Sequence, residues 1–317
     1  MAGLMLALFL VALDQTVVGT ALPKIIADLD GFEHYAWVTT AYLLASTAMI
    51  PVIGKLGDIY GRKWFIIGGV ALFLAASALC GAAWGMTELI LFRGLQGLGA
   101  GMIFANIFTS VADIFPDPAR RAKYQGVFFS VFALTSVIGP TMGGWITDNL
   151  SWRWVFYVNL PLGVFSLFAL PVVLHQGARR FGVKIDYLGA ATITASVVSL
   201  LLALSWVGEG YDWDAVRVVV GFVVAAVLLA AFIPIEHRAT EPMIPLSLFK
   251  SRGPLMPTTT LAVQSTVEKS LLGVATSATQ FIRSLGSTVG TAIIGSLITS
   301  GYAAYLKDNA RRRPQAA

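Results

Sequence analysis

Charged residues are scarce in this chain. Asp, Glu, Lys and Arg make up 12% of its 317 residues, whereas they make up about 25% of a typical soluble protein. Apolar residues account for 56% of the sequence, more than the interior of a water-soluble fold of this length can hold. They form long unbroken runs and not the short alternating segments of a transmembrane β-barrel. The composition therefore predicts an all-α, polytopic membrane protein.

Cysteine and histidine are also rare. The single cysteine, Cys80, lies inside an apolar run, which excludes a disulfide framework and a cysteine-based metal site. The three histidines stand far apart near the ends of apolar runs, and neither a Ser/His/Asp set nor a phosphate-binding loop is present. We therefore expect neither an enzyme nor a cofactor. The net charge of +5 is spread over short clusters between apolar runs, which is typical of membrane topology and not of nucleic-acid binding.

Eight apolar stretches are long enough to cross a bilayer as helices, since a crossing takes about 20 residues. They cover residues 3–22, 36–56, 64–84, 88–114, 124–147, 154–174, 186–207 and 216–236. The first stretch lacks a basic leader and a cleavage site, so we expect a retained span and not a signal peptide. Lys and Arg concentrate in the loops after the even-numbered spans, which predicts a cytoplasmic N-terminus in the plasma or inner membrane. Tryptophans at span edges are expected to anchor the chain at the bilayer interface: Trp37, Trp64, Trp84, Trp152, Trp154 and Trp213.

The regular pattern of spans ends at residue 236. A polar stretch, 237–252, precedes an apolar run, 253–267, that is at the short limit for a span. A longer run, 271–306, contains Arg283, and the chain closes with a basic tail. The longer run is long enough to cross once. If it crosses and the short run does not, the basic tail lies outside, against the usual bias of positive charge toward the cytoplasm. The number of spans after residue 236 stays open.

Two ionisable residues lie inward of the ends of these spans, at membrane depth, where each costs at least about 2.5 kcal/mol. Asp14 in the first span is a candidate proton or cation carrier; the alternative is a structural hydrogen bond near the external interface. Arg93 in the fourth span keeps its proton, so it holds an anion, pairs with a carboxylate or binds backbone carbonyls. Gln96 and Gly97 share its helix face, which places Gln96 on the expected substrate path. Gly97 and Gly101 predict close packing with a neighbouring helix.

The turn at the end of the second span, residues 54–63, combines three glycines, which permit a tight turn, with one acid and three bases. Asp58 can accept hydrogen bonds from Arg62, and Asp113 at the end of the fourth span is placed by topology to join them. Such a network can form in one conformation and break in another. A generic positively charged turn would explain the cations but not the glycines and the aspartate. This predicted cytoplasmic latch comprises Gly54, Gly57, Asp58, Gly61, Arg62, Lys63 and Asp113.

The fifth span contains a proline and three glycines within six residues. Proline frees a backbone carbonyl and bends a helix, and small residues flatten a face for close packing. A bent, closely packed helix is a candidate pivot or seal. The residues are Gly139, Pro140, Gly143 and Gly144.

These motifs resemble those of the major facilitator superfamily, and more narrowly its fourteen-helix branch of drug:proton antiporters. Residues 13–23 resemble the branch's first-helix signature, and residues 54–63 resemble the superfamily's cytoplasmic loop between helices two and three. Residues 93–97 resemble the fourth-helix proton-coupling motif, residues 139–144 the fifth-helix antiporter motif, and residues 152–161 the entry to helix six. The resemblance implies a major facilitator fold, proton coupling through Asp14 and Arg93, and a proton gradient in place of a cofactor.

The resemblance also divides the chain into three parts. Residues 1–175 correspond to a complete N-terminal six-helix transport bundle, and residues 176–252 to two central linker helices and a cytoplasmic loop. Residues 253–317 correspond to a fragment of the C-terminal bundle with a basic tail, which implies an internal deletion and a C-terminal truncation. Within that fragment, residues 273–295 resemble helix thirteen, whose N-terminus faces the latch in the family. Its dipole is expected to attract Asp58.

Three functions stay open at this point. The first is proton-driven efflux of drugs or other amphipathic small molecules by alternating access. The second is proton-independent movement of a metabolite, against which the fifth-helix motif argues. The third is a non-transporting membrane subunit or defective paralogue, which the incomplete second bundle favours. The expected partners are the lipid bilayer, a small-molecule substrate of unknown identity, and either a second copy or a missing-half partner.

Overall fold

The structure is a computed structural model that describes residues 1–30, 34–115, 117–174, 186–208 and 211–239, together with residues 242, 264, 267, 272–283 and 286. Regular secondary structure in these residues is helical. The helices follow the order α1 (Ala2–Asp28), α2 (Tyr35–Tyr60), α3 (Arg62–Gly81), α4 (Met86–Ile114), α5 (Pro118–Asn149), the four-residue α6 (Trp154–Tyr157), α7 (Asn159–Val173), α8 (Tyr187–Gly208) and α9 (Val216–Arg238). Residues 272–283 are also helical. Most of the short apolar run at 253–267, whose crossing the sequence leaves open, and the whole basic tail lie outside the described residues.

Eight helical segments in the described part of the chain are long and apolar enough to cross a membrane, with α6 and α7 counted together. The eight predicted spans are therefore confirmed. Several helices extend beyond the apolar stretches, because helical backbone hydrogen bonds can continue outside the hydrocarbon core of the bilayer. At the start of α5, for example, Asp117 accepts a hydrogen bond from the backbone N–H of Arg120 at 2.9 Å, and Pro118 occupies the first turn.

The helices α1 to α7 form one bundle in which α4 packs against both α2 and α3, and α1 packs against α5 and α7. Two clusters of buried apolar side chains fill it, one at each end. The pair α8 and α9 pack on each other, and α8 lies against α2. These contacts agree with a six-span bundle followed by two further spans.

Small residues bring α4 close to its neighbours. A Cβ atom at Gly97 would overlap the backbone carbonyl of Tyr42 in α2, and one at Gly101 would lie 2.5 Å from the carbonyl oxygen of Ser46. On the other side, a Cβ atom at Gly99 would lie 2.7 Å from the backbone nitrogen of Phe73 in α3. The predicted close packing at Gly97 and Gly101 is confirmed. Because the hydrophobic effect contributes little to helix association within lipid, close contacts of this kind stabilise the bundle.

The helix break between α6 and α7 has a local cause. Pro161 lacks an N–H, so the carbonyl of Tyr157, four residues earlier, receives no helical hydrogen bond from it. The boundary falls between these residues, at Val158. Asn159 then opens α7 with its side chain fully buried, at the depth where the polar site is found.

Candidate functional site

A buried ion pair joins α1 to α4. Arg93 donates a hydrogen bond from Nη1 to Asp14 Oδ2 at 2.6 Å, and the two side chains are 2% and 0% exposed. Because α1 continues to Asp28, Asp14 lies near the middle of its helix, not near the predicted external end. Taking two charges out of water costs several kcal/mol for each ion, so further hydrogen bonds are needed around the pair.

Two amide side chains supply these bonds. Gln96 accepts from Arg93 Nη1 through Oε1 at 2.7 Å and donates from Nε2 to Asp14 Oδ1 at 2.9 Å. Asn159 of α7 donates from Nδ2 to the same oxygen, also at 2.9 Å. Asp14 therefore accepts three hydrogen bonds, one of them from a cation, and charge-assisted bonds of this kind are the strong ones.

Ser77 of α3 completes the polar cluster. Its hydroxyl accepts from Asn159 Nδ2 at 3.0 Å and from Gln96 Nε2 at 3.2 Å, and donates to the carbonyl of Phe156 at 2.9 Å. These residues are buried. We call the five side chains the Asp14 network: Asp14, Ser77, Arg93, Gln96 and Asn159. They come from four helices, so a displacement of any one helix changes the network.

The guanidinium of Arg93 has further partners on α2. Its Nε donates to the carbonyl of Val38 at 3.3 Å, and its central carbon lies 4.3 Å from the centre of the Tyr42 ring. A cation over an aromatic face is attracted by the ring quadrupole. Arg93 thus keeps favourable contacts with α2 and with Gln96 that do not involve Asp14.

The predicted latch is assembled at the end of the bundle where α2 meets α3. Asp58 accepts from Arg62 at 2.5 Å, and Arg62 also pairs with Asp113 of α4. The second carboxylate oxygen of Asp58 accepts from the backbone N–H of Val274 at 2.7 Å. This amide lies in the first turn of the 272–283 helix, the position at which a helix dipole favours an anion.

The remaining latch residues have different neighbours. Lys63 donates to the carbonyl of Pro171 in α7 at 2.7 Å, so it lies outside the ion-pair cluster. Gly61 has φ 91°, a backbone conformation that favours glycine. A Cβ atom at Gly57 would overlap Asn106 of α4, and one at Gly54 would overlap Ser277 of the 272–283 helix. The glycines therefore permit both the turn and the close approach of the helices to it.

The glycines of α5 lie against α1. A Cβ atom at Gly139 would overlap the hydroxyl of Thr16, and one at Gly143 would lie 2.8 Å from the carbonyl oxygen of Val17. Pro140 lies inside α5 and faces away from the bundle. A Cβ atom at Gly144 would meet nothing within 4 Å. Only Gly139 and Gly143 therefore bring α5 close to the helix that carries Asp14.

A third polar cluster, which the sequence did not reveal, lies at the end of the bundle opposite to the latch. Asp28 at the end of α1 accepts from Trp152 Nε1 at 2.7 Å and from Arg153 at 3.1 Å. Arg153 also donates to the carbonyl of Ala83, between α3 and α4, at 3.0 Å. The prediction that Trp152 anchors the chain at the bilayer interface is wrong, since this side chain is only 5% exposed. Its indole N–H donates to Asp28, whose side chain is half exposed at the end of α1.

Residues 4–180 match the family model described as Major Facilitator Superfamily, a match that covers more than half of the chain. The chain belongs to the major facilitator superfamily. With eight apolar helices in the part of the chain that the structure describes, it is a multi-pass membrane protein, as predicted.

Several superfamily members are closely similar. The multidrug transporter protein MdtP of Bacillus subtilis (strain 168) is 48% identical over 251 residues, which make up 79% of this chain and 46% of MdtP. Multidrug resistance protein 3 of the same organism is 44% identical over 250 residues, covering 79% of this chain and 49% of that protein. The efflux pump FUS6 of Gibberella fujikuroi is 37% identical over 275 residues, covering 84% and 49%. The chain spans about half the length of these curated relatives.

A solved structure shows the same fold. The crystal structure of the human organic anion transporter MFSD10 matches this chain with a TM-score of 0.61 and 13% sequence identity, covering 93% of this chain and 92% of that chain. The predicted major facilitator fold is confirmed. The division of the superfamily chain at residues 175 and 252 stays a prediction.

Gly143→Ala is expected to destabilise this superfamily member, whereas Gly144→Ala is not. The added methyl at residue 143 meets the backbone of Val17, which cannot move aside, and overpacking of this kind costs about 1–3 kcal/mol. The methyl at residue 144 enters open space, and alanine is favoured over glycine in a helix by up to about 1 kcal/mol. Thermal unfolding of the two variants in detergent, followed by size-exclusion chromatography, compares them. Equal melting temperatures would contradict close packing of α1 on α5.

Proposed function

We propose that this chain works as a proton-driven exporter of drugs or other amphipathic small molecules by alternating access, in the plasma or inner membrane with a cytoplasmic N-terminus. The observation that carries the proposal is the buried Asp14 network. Relatives that share 48% and 44% of the aligned residues are named a multidrug transporter and a multidrug resistance protein, which supports the substrate class. Exchange of protons takes the place of a cofactor.

The Asp14 network supports proton coupling because its charges are balanced. The ionised carboxylate of Asp14 pairs with Arg93 inside the bundle. A proton that binds Asp14 neutralises the carboxylate and leaves the positive charge of Arg93 without its counter-charge. If protonation of Asp14 has a different free energy in each of two conformations, it shifts the equilibrium between them by that difference.

The burial of Asp14 supports coupling between proton and substrate movement. The carboxylate is fully enclosed by α1, α3, α4 and α7 in this conformation. A proton from water reaches it only when these helices separate. Proton exchange and rearrangement of the bundle are then one event, which is what an antiporter requires.

The latch supports alternation between two states. Asp58 joins α2 to the first turn of the 272–283 helix, and Arg62 joins the same carboxylate to α4. In alternating access one bundle rocks against another around a central site. We propose that the contact between Asp58 and the 272–283 helix forms in one state and breaks in the other.

The test is whether substrate movement discharges an imposed pH gradient. The full chain is reconstituted into liposomes with an acidic lumen that contains the pH-sensitive dye pyranine. A lipophilic cationic dye or a neutral amphiphile is then added outside. We expect the lumen to become more alkaline as either probe accumulates, at a rate well above that of protein-free liposomes.

The other outcomes each overturn the proposal. Probe movement without a change in lumenal pH would indicate a proton-independent facilitator. If neither probe moves and the pH gradient persists, with the chain shown to be inserted, the result favours a non-transporting membrane subunit. Crosslinking in the same liposomes shows whether the inserted chain associates with itself.

A further inference from the structure

Protonation of Asp14 raises a question about hydrogen bonding. An ionised carboxylate only accepts, whereas a protonated one also donates through its O–H. Asp14 Oδ2 faces Nη1 of Arg93 at 2.6 Å, and a guanidinium has no acceptor. A proton is therefore placed on Oδ1, the oxygen that accepts from Gln96 and Asn159. At that oxygen the new O–H needs an acceptor.

The amide of Gln96 is held in its present orientation. Its Oε1 accepts from Arg93 at 2.7 Å while its Nε2 donates to Asp14 and to Ser77. Rotation of this amide by 180° would turn its N–H groups toward the guanidinium, donor against donor. Gln96 therefore stays a donor to Asp14 in both protonation states.

The amide of Asn159 is not held in this way. Its Nδ2 donates to Asp14 and to Ser77, but its Oδ1 is buried and has no hydrogen-bond partner among the described residues. A buried amide oxygen without a partner costs about 1–3 kcal/mol. Rotation of the Asn159 amide by 180° breaks the two hydrogen bonds that Nδ2 donates but none to Oδ1, and it brings that oxygen to Asp14.

We infer that Asn159 is the residue that accommodates the proton on Asp14, by rotating its amide so that Oδ1 accepts from the protonated carboxyl. The inference rests on the proposed function, since it requires that Asp14 binds the transported proton. The proton comes from water, binds Asp14 Oδ1 and cancels the negative charge of the carboxylate. No other covalent bond changes.

Ser77 makes the rotation feasible. After rotation, Asn159 Oδ1 stands where Nδ2 now lies, 3.0 Å from the hydroxyl oxygen of Ser77. The two oxygens repel each other unless the hydroxyl turns its hydrogen from the carbonyl of Phe156 toward Asn159. A serine hydroxyl can rotate in this way, and Gln96 continues to donate to it.

The groups around Asp14 allow the neutral state to persist. The titratable side chains that face it from the packed helices, among the described residues, are Arg93 of α4, Tyr42 of α2 and Cys80 of α3. Arg93 keeps its bonds to Gln96 and Val38 and its position over the Tyr42 ring. When Asp14 is neutralised, the cation loses its counter-charge but keeps these three contacts.

Infrared difference spectroscopy of the reconstituted full chain tests the inference. Spectra are recorded as the pH is lowered, and the carboxylic C=O band of Asp14 is the one that Asp14→Asn removes. We expect a band typical of a hydrogen-bonded carboxyl in the wild-type protein. In Asn159→Leu the acceptor is lost, and the band should move to higher wavenumber. In Asn159→Asp, which offers an acceptor without rotation, the band should stay at low wavenumber.

The outcomes separate this inference from the proposed function. If no Asp14 band appears at any pH, Asp14 does not bind a proton and both fail. If the band appears but has the same wavenumber in Asn159→Leu, the inference is wrong and the proposed function stands. Should the leucine variant fail to insert, Asn159→Ala removes the same acceptor with a smaller side chain and carries the same expectation. A residue that merely packs would leave the band unmoved in every variant.

Discussion

Asp14→Asn should reduce proton-driven accumulation of the cationic dye to the rate of protein-free liposomes. Asparagine has nearly the same shape as aspartate and can still accept from Arg93, but it cannot bind and release a proton. The measurement is the discharge of the pH gradient described above. Transport at the wild-type rate in this variant would remove Asp14 from the mechanism.

A second variant guards against misfolding of the first. Removing one member of a buried ion pair leaves the other charge uncompensated, which costs about 3–5 kcal/mol. Asp14→Asn therefore leaves Arg93 as an unpaired cation between α1 and α4. Asp14→Asn combined with Arg93→Gln removes both charges, so we expect the melting temperature to recover and transport to stay absent. Recovery of transport together with stability would show that the pair serves packing alone.

The spans could be predicted from the sequence because a bilayer imposes a simple rule on length and polarity. A helix must stay apolar for about 20 residues to cross, and eight stretches among the described residues meet that requirement. This rule locates the part of a helix that crosses the hydrocarbon core and not the ends of the helix. It therefore places the end of the first span at residue 22, six residues before α1 ends at Asp28.

The charged members of the site, and Gln96 on the same helix face as Arg93, could also be singled out from the sequence, but Asn159 and Ser77 were found only in the structure. Asp14 and Arg93 stand out because charge within a span is costly. Asn159 and Ser77 are uncharged and carry no comparable signal in the sequence. Asn159 is 145 residues away from Asp14 along the chain, and only the packing of α7 against α1 and α3 brings it to the carboxylate.

The cluster at the opposite end of the bundle shows a different limit. Tryptophan at the edge of a span is typical of an interfacial anchor, and Trp64, Trp84 and Trp154 are indeed more than half exposed. Trp152 has the same sequence context but lies inside the bundle. Whether a tryptophan at a span edge faces lipid or is buried depends on its neighbours in the fold. For Trp152 the neighbour is Asp28, at the end of α1.

Asp58→Asn should destabilise this conformation far more than Asp113→Asn. Asp58 is 6% exposed and bonds both Arg62 and the backbone of Val274, and a hydrogen bond to a charged group contributes about 1.5–3 kcal/mol. Asp113 is 50% exposed and, among the described residues, pairs with Arg62 alone, and pairs of this kind contribute about 0–1 kcal/mol. The difference should appear in thermal unfolding in detergent.

A distance measurement shows whether the latch holds the 272–283 helix. Spin labels on Tyr60→Cys in α2 and Ile282→Cys in that helix occupy positions that are each 51% exposed, and the buried Cys80 stays unlabelled. We expect Asp58→Asn to move the distribution of distances between the labels to larger values, because the carboxylate no longer attracts the first turn of the helix. Asp113→Asn leaves the bond between Asp58 and Val274 in place and should leave the distribution nearly unchanged. Equal distributions in the wild-type protein and Asp58→Asn would mean that packing around Gly54 and Ser277 positions the helix without the charge.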